Sequence, residues 1–422
     1  MTLKSSAFDL AYFDQVVWNV SQGHGFATSF AAYPFLGQHF SPALALFVPL
    51  YAIHPSPLWL LGAQSLALGA AMVPLFLLAR TWLDETSALI VCFAFGLELF
   101  VVRAVNYDFH TEVLAVPFVF WAVLGAVRAT RAGDLTLVLA GIAPLLCKED
   151  GALVSLGIGF LGWAVFRRRA GLVLIALALV YGLLVTVVVM PAIRGGQPGD
   201  LIGRYSYLGS SVPGVLQGLV QRPWVVVQHL LSPGPLLAVA LLLGGVAFLP
   251  LARPKAAIAA LPALVLALLS QKWQQETLLD QYGVQVGPLI VVGAVLGWAR
   301  LQPWLHRASA DGVLVAAVIA STVLALAVGK PALGLGSFEA ASDASSLAAH
   351  VPTDAALDAS SDLLPLVAER EAIGVLPAHR HDWVAIDGST QDGALAAVLP
   401  SEGYAMVGRW GSLSLWHRQS WS

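Results

Sequence analysis

The sequence predicts a mainly α-helical fold, a polytopic transmembrane helical bundle of about ten spans with a small α/β domain at its C-terminal end. Of the 422 residues, 58% are hydrophobic and only 11% are charged, whereas soluble domains usually carry about a quarter charged residues. The apolar residues gather in runs such as Leu58–Ala79 and Gly171–Met190, which are near the length that crosses the hydrocarbon core of a bilayer. After Lys330, glycine and serine become more frequent, and short strand patterns replace the long apolar runs.

The expected spans are the apolar runs that are bounded by polar residues, glycine or proline. They lie at 57–80, 86–102, 111–128, 134–148, 150–167, 170–190, 235–252, 256–270, 282–300 and 312–330. The second, fourth and eighth runs are short, so each could instead be re-entrant or broken. Phe40–Ile53 is also apolar, but prolines interrupt it, and we expect it to lie along the membrane interface.

The positions of the basic residues predict the orientation. Lysine and arginine flank alternate turns of the path, and cytoplasmic loops carry an excess of these residues. The basic turns contain Arg80, Arg128, Arg131, Arg167–Arg169, Arg253, Lys255, Arg300 and Arg307. We therefore expect a multi-pass protein of the cell membrane, with the opposite turns and the C-terminal domain on the extracytoplasmic side.

This path divides the chain into an extracytoplasmic loop with interfacial helices, a transmembrane helical domain and a small extracytoplasmic α/β domain, at 1–56, 57–330 and 331–422. An outer N-terminal loop normally needs a preceding signal or span. We therefore expect either a missing first helix or a reverse anchor at 57–80. The C-terminal domain is expected to contain strand, helix, strand and strand at Ala355–Ser360, Asp362–Arg370, Ala372–Leu376 and Trp383–Asp387.

Composition and motifs argue against several functions. The net charge is −3 and the basic residues lie in short clusters between apolar runs, so nucleic acid is not expected as a partner. Cys92 and Cys147 lie in or at the end of apolar runs without metal-type spacing, which predicts buried small hydrophobic side chains. The sequence has no P-loop, HExxH or GxSxG motif, so cytoplasmic nucleotide hydrolysis is disfavoured.

The N-terminal segment FDLAYFDQVVWN carries two candidate catalytic carboxylates, Asp9 and Asp14. On one interpretation they belong to an amphipathic interfacial helix, which the surrounding aromatic residues anchor. On the other, a carboxylate beside an apolar wall acts as a general base toward a hydroxyl, because partial desolvation raises its proton affinity. His39 follows in the same outer segment and is a candidate substrate-binding residue.

The motif NYDFHTE alternates Asp108, His110 and Glu112 between two expected spans. Oxygen ligands of this kind could bind a divalent cation, Mg²⁺ or Mn²⁺, which makes Asp108 and Glu112 candidate metal ligands. His110 is a candidate phosphate contact. The same residues could instead cap the helix that is expected to start at Thr111, and the sequence leaves both interpretations open.

The motif CKEDG places Lys148, Glu149 and Asp150 in a turn between two apolar runs. An ordinary polar turn would explain them, but charges at the membrane surface are costly unless they are paired or used. Lys148 is therefore a candidate phosphate partner, with Glu149 and Asp150 as orienting partners. The other outer loops add candidate substrate- or phosphate-binding residues at Arg204, Lys272 and Tyr282.

These motifs together carry a family resemblance. Over roughly residues 8–300, the chain resembles the membrane-protein family known as domain of unknown function 2079 in the ordered segments FDLAYFDQVVWN, GQHFSPALALFVPLYAIHPSPLWLLGAQ, NYDFHTEVLAVPF, CKEDGAL and QYGVQVGPLIVVGAVLGWARL. That family in turn resembles the glycosyltransferase C (GT-C) superfamily, multi-span enzymes that take a sugar from a polyprenyl-phosphate carrier. The resemblance implies an acidic catalytic residue in the first outer loop, at Asp9 or Asp14, and a transmembrane helix before that loop.

The expected function is therefore that of a membrane glycosyltransferase with a polyprenyl-phosphate sugar donor, an unknown acceptor and inversion at the anomeric carbon. Asp9, or Asp14 as second choice, would take the acceptor proton, while His110, Lys148 or Lys272 would neutralise the departing phosphate. The alternatives are a transporter or flippase of a lipid-linked or polar solute, and a non-catalytic membrane scaffold. Carriers tend to place polar groups near the membrane midplane. Here most acidic groups are expected at one surface, which favours the enzyme.

Overall fold

Helices form most of the described chain, because a backbone among apolar surroundings must satisfy its hydrogen bonds internally. The computed structural model describes residues 8–197, 199–305, 307–328 and 338–419. The earlier helices are α1 (Phe8–Ser21), α2 (Phe35–Gln38), α3 (Val48–Ile53), α4 (Leu58–Ala79), α5 (Glu85–Gly96), α6 (Leu99–Val105), α7 (Val116–Arg128), α8 (Arg131–Gly141), α9 (Ala143–Cys147), α10 (Gly151–Phe160) and α11 (Ala170–Leu184). The later helices are α12 (Met190–Ile193), α13 (Val212–Gln221), α14 (Pro223–Leu230), α15 (Pro233–Gly245), α16 (Pro254–Ala257), α17 (Leu261–Leu268), α18 (Trp273–Glu276), α19 (Gly287–Leu301), α20 (Arg307–Ala327), α21 (Phe338–His350) and α22 (Leu364–Val367).

Tighter and wider helical turns extend or connect these elements. The 3₁₀ turns are Pro42–Phe47, Thr111–Ala115, Asp200–Tyr205, Leu249–Ala252, Ile258–Ala260, Asp280–Gln285, Gln302–Trp304, Ser361–Leu363, Gln391–Ala397 and Leu399–Glu402. Two π-helical turns, Leu161–Val165 and Val185–Val189, continue α10 and α11.

Within the described residues, three helices are long and apolar enough to cross a membrane alone: Leu58–Ala79, Thr111–Arg128 and Ala170–Ile193. Three helix pairs meet the same criterion as bent spans, with bends of 49°, 57° and 76°: Glu85–Gly96 with Leu99–Val105, Pro223–Leu230 with Pro233–Gly245, and Trp273–Gln285 with Gly287–Trp304. Length and composition thus support three to six spans, and the count of about ten stays a prediction. The second expected span, at 86–102, corresponds to the bent pair Glu85–Gly96 with Leu99–Val105. Its short length had left open that this span is broken.

The largest apolar core lies between the long helices and includes the fully buried Phe95, Phe120 and Ile158. By contrast, only 17% of the most apolar stretch of Ala170–Ile193 is buried inside the protein. Its apolar side chains therefore face outward, as contact with lipid requires. Cys92 and Cys147 are buried free thiols, which confirms the expectation from their spacing.

A buried carboxylate lies at the bend between α5 and α6. Glu98, which precedes α6 with a non-helical backbone, is 6% exposed. Its Oε1 lies 3.1 Å from the hydroxyl oxygen of Ser321, and that hydroxyl lies 2.5 Å from the carbonyl oxygen of Gly245. Glu98 therefore joins the bend to α15 and α20.

Glycines let neighbouring helices approach closely. A Cβ atom at Gly125 in α7 would lie 2.6 Å from the carbonyl oxygen of Gly133 in α8, and one at Gly157 would lie 2.1 Å from that of Ala259. Such small-residue contacts are typical of helices packed in membranes. The spacing GxGxxG at 157–162 lies inside α10 and its π continuation, where it serves packing and lacks the strand–turn–helix context of a nucleotide site.

The basic turns lie together at one end of the helical bundle. Arg168 forms a bidentate ion pair with Asp134, with N–O distances of 2.8 and 2.6 Å. Trp82 stacks on Phe166 with ring centres 6.3 Å apart, and α16 packs against Leu161–Val165. The structure therefore brings the expected cytoplasmic turns to a common end, and the side of the membrane that this end faces stays a prediction.

A five-stranded sheet with the order β2-β1-β3-β5-β4 forms the C-terminal domain. Its strands are β1 (Leu357–Ala359), β2 (Ile373–Val375), β3 (Trp383–Asp387), β4 (Tyr404–Trp410) and β5 (Leu413–Arg418). β1 is parallel to β2 and β3, while β5 is antiparallel to β3 and β4.

β1 and β2 lie within longer predicted strands, and β3 has the predicted bounds. Neither α21 nor the β4–β5 hairpin was predicted. A register shift between Met406 and Gly408 interrupts the alternation of that hairpin, and three residues of β4 are exposed, so its pattern does not resemble a half-buried strand. The expected helix at Asp362–Arg370 is shorter, as Ser361–Leu363 and α22.

We expect Gly125→Ala to destabilise the fold, because the added methyl group would overlap the backbone of α8. Overpacking of this kind costs about 1–3 kcal/mol. Gly69→Ala in α4 is the matched control, since a Cβ atom there meets nothing within 4 Å and alanine favours a helix by about 1 kcal/mol over glycine. Thermal unfolding in detergent should therefore show a lower midpoint for the first variant and an equal or higher one for the second. Equal midpoints for the two variants would contradict the close packing of α7 and α8.

Candidate active site

Helix α1 carries both candidate carboxylates and places them in different surroundings. Asp9 lies in the first turn, where the helix dipole favours a negative charge. Its side chain is 33% exposed. Its Oδ2 accepts a hydrogen bond from the Tyr107 hydroxyl at 3.2 Å and lies 3.6 Å from Nε2 of His110. Asp9 thus combines a defined orientation with access to solvent, both of which a general base needs.

Asp14, in contrast, is fully buried. The Tyr51 hydroxyl donates to its Oδ1 at 2.6 Å, and its Oδ2 has no hydrogen-bond partner among the described residues. Burial, followed by the negative charge of Glu369, raises the pKa of Asp14 well above its ordinary value, although the Tyr51 hydrogen bond opposes the shift. A neutral carboxyl without access to solvent suits a structural role better than proton abstraction from a substrate.

The segment 107–112 packs against the start of α1. Oδ2 of Asp108 accepts a hydrogen bond from the backbone amide of Leu10 at 3.4 Å, which satisfies one amide of the first helical turn. The backbone amide of His110 donates to Oε1 of Gln64 at 3.0 Å. Nδ1 of His110 donates to the carbonyl oxygen of Asp108 at 3.0 Å, which leaves Nε2 facing Asp9.

Asp108 and Glu112 each contact a different part of the chain. No side chain caps the turn Thr111–Ala115, so the capping prediction is wrong, and the carboxylate of Asp108 accepts from α1 instead. Glu112 is directed at Lys148. Within 8–197, 199–305, 307–328 and 338–419, no group of three or more His, Cys, Asp or Glu side chains could hold a metal ion. The Mg²⁺ or Mn²⁺ ion expected at Asp108 and Glu112 stays a prediction.

Lys148 is buried between two carboxylates. Its Nζ lies 3.0 Å from Oε1 of Glu112 and 3.9 Å from Oδ2 of Asp150, and Oδ1 of Asp150 accepts a hydrogen bond from Gln285 at 2.6 Å. Burial alone would lower the pKa of Lys148, but Asp150 and Glu112 outweigh it and hold that pKa above its ordinary value. Burial also raises the pKa of Asp150 to about 6, against the effect of Lys148. The turn is therefore a buried charge network.

Glu149 fixes the loop that contains His39. Its Oε1 lies 3.3 Å from Nδ1 of His39, and its Oε2 accepts a hydrogen bond from the backbone amide of Phe40 at 2.9 Å. Burial alone would raise the pKa of Glu149, but His39 outweighs that effect and the pKa falls to about 2. Glu149 and His39, both candidate binding residues, therefore form one pair. This pair holds the loop that contains His39 against the charged turn at 148–150.

The ring of Tyr282 gathers three cations, Lys148, Arg204 and Lys272, which we call the Tyr282 cation cluster. Their charged groups lie 5.8, 5.9 and 5.3 Å from the ring centre, within the range of cation–π attraction. Arg204 also donates to Oε1 of Gln275 at 2.8 Å. Lys272 is exposed, so the cluster is open on one side. Converging positive charges of this kind can neutralise a phosphate group.

One short segment joins Asp9 to the Tyr282 cation cluster. His110 contacts Asp9, and Glu112, two residues later, pairs with Lys148. Two residues separate Cα atoms by at most about 7 Å. The segment 110–112 therefore connects Asp9, an accessible carboxylate, to the Tyr282 cation cluster. The sequence had placed both on the same side of the membrane.

Several residues of this region were missed by the sequence analysis. Tyr107 stands inside the NYDFHTE motif, and its position beside the motif's charged residues was a usable signal. Gln64 also carried a usable signal, because a polar side chain within a long apolar run is costly unless it is hydrogen-bonded. In the structure it contacts His110 and the carbonyl oxygen of Ala104. Tyr51 had no such signal, since its contact depends on the tertiary fold.

Membrane proteins of known structure share this architecture. ArnT from Cupriavidus metallidurans in the apo state is similar with a TM-score of 0.55 and 14% identity, over 96% of this chain and 92% of that chain. Its structure bound to undecaprenyl phosphate gives a TM-score of 0.54 and 14% identity over 98% and 94%. The apo oligosaccharyltransferase from Archaeoglobus fulgidus gives 0.54 and 14% over 100% of this chain and 71% of that chain. The chain therefore shares the fold of these proteins.

The chain belongs to the DUF2079 family. The family is described as "Predicted membrane protein (DUF2079)" and matches residues 1–397, which confirms the resemblance seen in the motifs. No match was found among the curated proteins. At 14% identity, the structural neighbours show the fold, and the reaction has to be argued from the site itself.

We expect Asp14→Asn to make the stability of the protein less dependent on pH above the ordinary pKa of a carboxyl group. The folded-state pKa of Asp14 lies above its ordinary value, so the neutral carboxyl stabilises the fold at low pH, and this contribution is lost as the pH rises through the folded-state pKa. Asparagine keeps an acceptor for Tyr51 and cannot ionise. The thermal unfolding midpoint, followed upward from about pH 4, should fall less steeply for the variant than for the wild type.

Tyr51→Phe is the companion variant. It leaves the buried carboxyl without its donor and should lower stability by about 1 kcal/mol or more. Identical pH dependence in the wild type and Asp14→Asn would show that Asp14 is not held neutral.

Proposed function

We propose that this protein is a membrane glycosyltransferase that transfers a sugar from a polyprenyl-phosphate donor to an acceptor hydroxyl, with inversion at the anomeric carbon. The observation that carries the proposal is that one segment, 110–112, contacts both an accessible carboxylate, Asp9, and Lys148 of the Tyr282 cation cluster, on a GT-C-like fold. The crystal structure of ArnT bound to undecaprenyl phosphate supports a lipid-linked donor.

In the proposed reaction, Asp9 removes the proton from the acceptor hydroxyl. The acceptor oxygen forms a bond to the anomeric carbon of the sugar while the bond from that carbon to the phosphate oxygen breaks. The phosphate leaves with the electron pair, and the proton stays on Asp9. The hydrogen bond from Tyr107 holds the carboxylate in position for this step, and His110 lies beside it.

The negative charge that develops on the departing phosphate is assigned to the Tyr282 cation cluster. Lys148 is neutralised in large part by Glu112 and Asp150, so Arg204 and the exposed Lys272 carry most of the positive charge that a phosphate would meet. Preorganised cations stabilise such charge without reorganisation during the reaction. Because phosphate is already a good leaving group, the proposal needs no acid at this position.

We further propose that this site faces the extracytoplasmic side of the cell membrane. The turns that carry Arg80, Arg128, Arg131 and Arg167–Arg169 share the end of the bundle marked by the Arg168–Asp134 ion pair. The positive-inside rule assigns that end to the cytoplasm. The donor would then enter from the outer leaflet, and the acceptor would enter from water beside the C-terminal domain.

The decisive experiment compares Asp9→Asn with Asp14→Asn. The protein is purified in lipid nanodiscs and offered a broad panel of polyprenyl-phosphate sugars, and release or transfer of the sugar is measured. Loss of a general base should lower kcat by about 10²–10⁴-fold, so Asp9→Asn should lose nearly all activity. Asp14→Asn should keep most of it, because that carboxyl is buried. If the wild type uses no donor of the panel, the proposal is wrong. If Asp14→Asn loses activity and Asp9→Asn keeps it, Asp14 is the base.

We expect Lys272→Ala to weaken the binding of the lipid phosphate. Loss of one partly solvated charged contact should raise the Kd for undecaprenyl phosphate about three- to tenfold. Lys255→Ala is the matched control, because Lys255 is an exposed lysine in α16, at the end of the bundle assigned to the cytoplasm. Lys148→Ala is a poor test, since it would leave Glu112 buried without its cation, at a cost of about 3–5 kcal/mol.

The measurement is a titration of undecaprenyl phosphate in detergent, followed by tryptophan fluorescence. Equal Kd values for Lys272→Ala and Lys255→Ala would show that the Tyr282 cation cluster does not bind the phosphate of the donor. Weaker binding together with an inactive wild type would instead favour a carrier for lipid-linked solutes, which is the alternative expected from the sequence.

A further inference from the structure

Gln15 in α1 is completely buried and uses all of its hydrogen-bonding capacity. Its Nε2 donates to Oγ of Ser29 at 2.8 Å and to the carbonyl oxygen of Arg370 at 2.9 Å. Its Oε1 accepts from Oγ1 of Thr28 and from the backbone amide of Ser29, both at 3.0 Å. One side chain thus joins α1, the loop that follows it and the C-terminal domain.

Ser29 extends this connection to the edge of the C-terminal sheet. Its Oγ donates to the carbonyl oxygen of Ile373 at 2.9 Å and accepts from the amide of the same residue at 3.1 Å. Ile373 begins β2, which is the edge strand of the sheet and pairs with β1 on its other side. With the bond from Gln15, the Ser29 hydroxyl also reaches its full capacity of one donated and two accepted hydrogen bonds.

Apolar contacts support the same attachment. Ala11 of α1 is fully buried in the core of the C-terminal domain, together with Leu357 and Leu364. On the other side of α1, Phe13 packs edge-to-face on Phe109 with ring centres 5.3 Å apart. The helix is therefore held between the sheet domain and the segment that precedes α7.

Asp9 lies six residues before Gln15 on this helix, about 9 Å along its axis. Its first turn would fray without external bonds, because the first amides of a helix have no partner within the helix. Asp108 bonds the amide of Leu10 at one end, and Gln15 fixes the body of the helix against the C-terminal domain. The position of α1, and with it the backbone of Asp9, thus depends in part on contacts that lie far from the carboxylate.

We infer that Gln15 and Ser29 form a clamp through which the C-terminal domain holds α1 and positions Asp9 for catalysis. Gln15 and Ser29 are positioning residues on this assignment, since neither contacts Asp9. The inference rests on the proposed role of Asp9 as the base. It gives the C-terminal domain a function in transfer that needs no substrate contact from the sheet.

The test uses Gln15→Ala, Ser29→Ala and Ser29→Thr in the full-length protein in nanodiscs. Gln15→Ala and Ser29→Ala should lower kcat about tenfold or more, since a displacement of 1 Å at a reacting group can cost about 10²-fold. The Kd for undecaprenyl phosphate should stay within about twofold, because the Tyr282 cation cluster is untouched. Ser29→Thr keeps the hydroxyl and should retain kcat. Gln22→Ala, an exposed glutamine just beyond α1, is the control.

Hydrogen exchange provides a second measurement that does not depend on activity. Amides of α1 and β2 should exchange faster in Gln15→Ala and Ser29→Ala, while those of α7 and α10 should not change. Folded variants with unchanged kcat overturn the inference. If Gln15→Ala fails to fold, the pair Ser29→Ala and Ser29→Thr decides, because the loss and retention of one hydroxyl are compared directly. An inactive wild type refutes the proposed function, and unchanged exchange in α1 separately refutes the clamp.

Discussion

The burial of α1 between the C-terminal sheet and the first membrane helices is the constraint on which the rest of the site depends. The helix is buried on nearly all sides, at Leu10, Ala11, Tyr12, Phe13, Asp14, Gln15, Val16, Val17 and Asn19. A buried polar group is tolerated only when it is bonded or neutral. Gln15 and Asn19 meet this requirement through hydrogen bonds, and Asp14 through its raised pKa. The helix cannot shift without breaking several of these bonds together, which keeps Asp9 in one place.

The charged turn at 148–150 follows the same rule with different means. A buried ion loses several kcal/mol of solvation, and a single partner seldom repays the loss. Lys148 therefore has two carboxylates, and Glu149 has His39 and a backbone amide. This pairing leaves little uncompensated charge in the turn. On the proposed function, a phosphate would interact mainly with the less buried cations around Tyr282, among them the exposed Lys272.

The sequence was sufficient for features that depend on composition and local spacing. Apolar run length predicted the helical fold, and the position of polar residues between apolar runs predicted that Lys148, Arg204, Lys272 and Tyr282 would share one face. Their contacts around one ring were found only in the structure. Features that depend on a distant partner were not predictable. Asp108 resembles a cap for the helix that follows it, and in the structure it accepts from α1 instead. The β4–β5 hairpin was not predicted, because its register shift interrupts the alternation of residues that indicates a strand.

The choice between Asp9 and Asp14 shows this limit most clearly. Residues five positions apart on a helix point roughly 140° from each other, so one of the two carboxylates must face away from whatever the other faces. Both have aromatic neighbours in sequence, and local pattern cannot say which side of α1 will be covered. The covering surface comes from residues such as Arg370, 355 positions after its partner Gln15. Once Asp14 is enclosed, burial raises its pKa, and Asp9 is left as the more accessible of the two carboxylates.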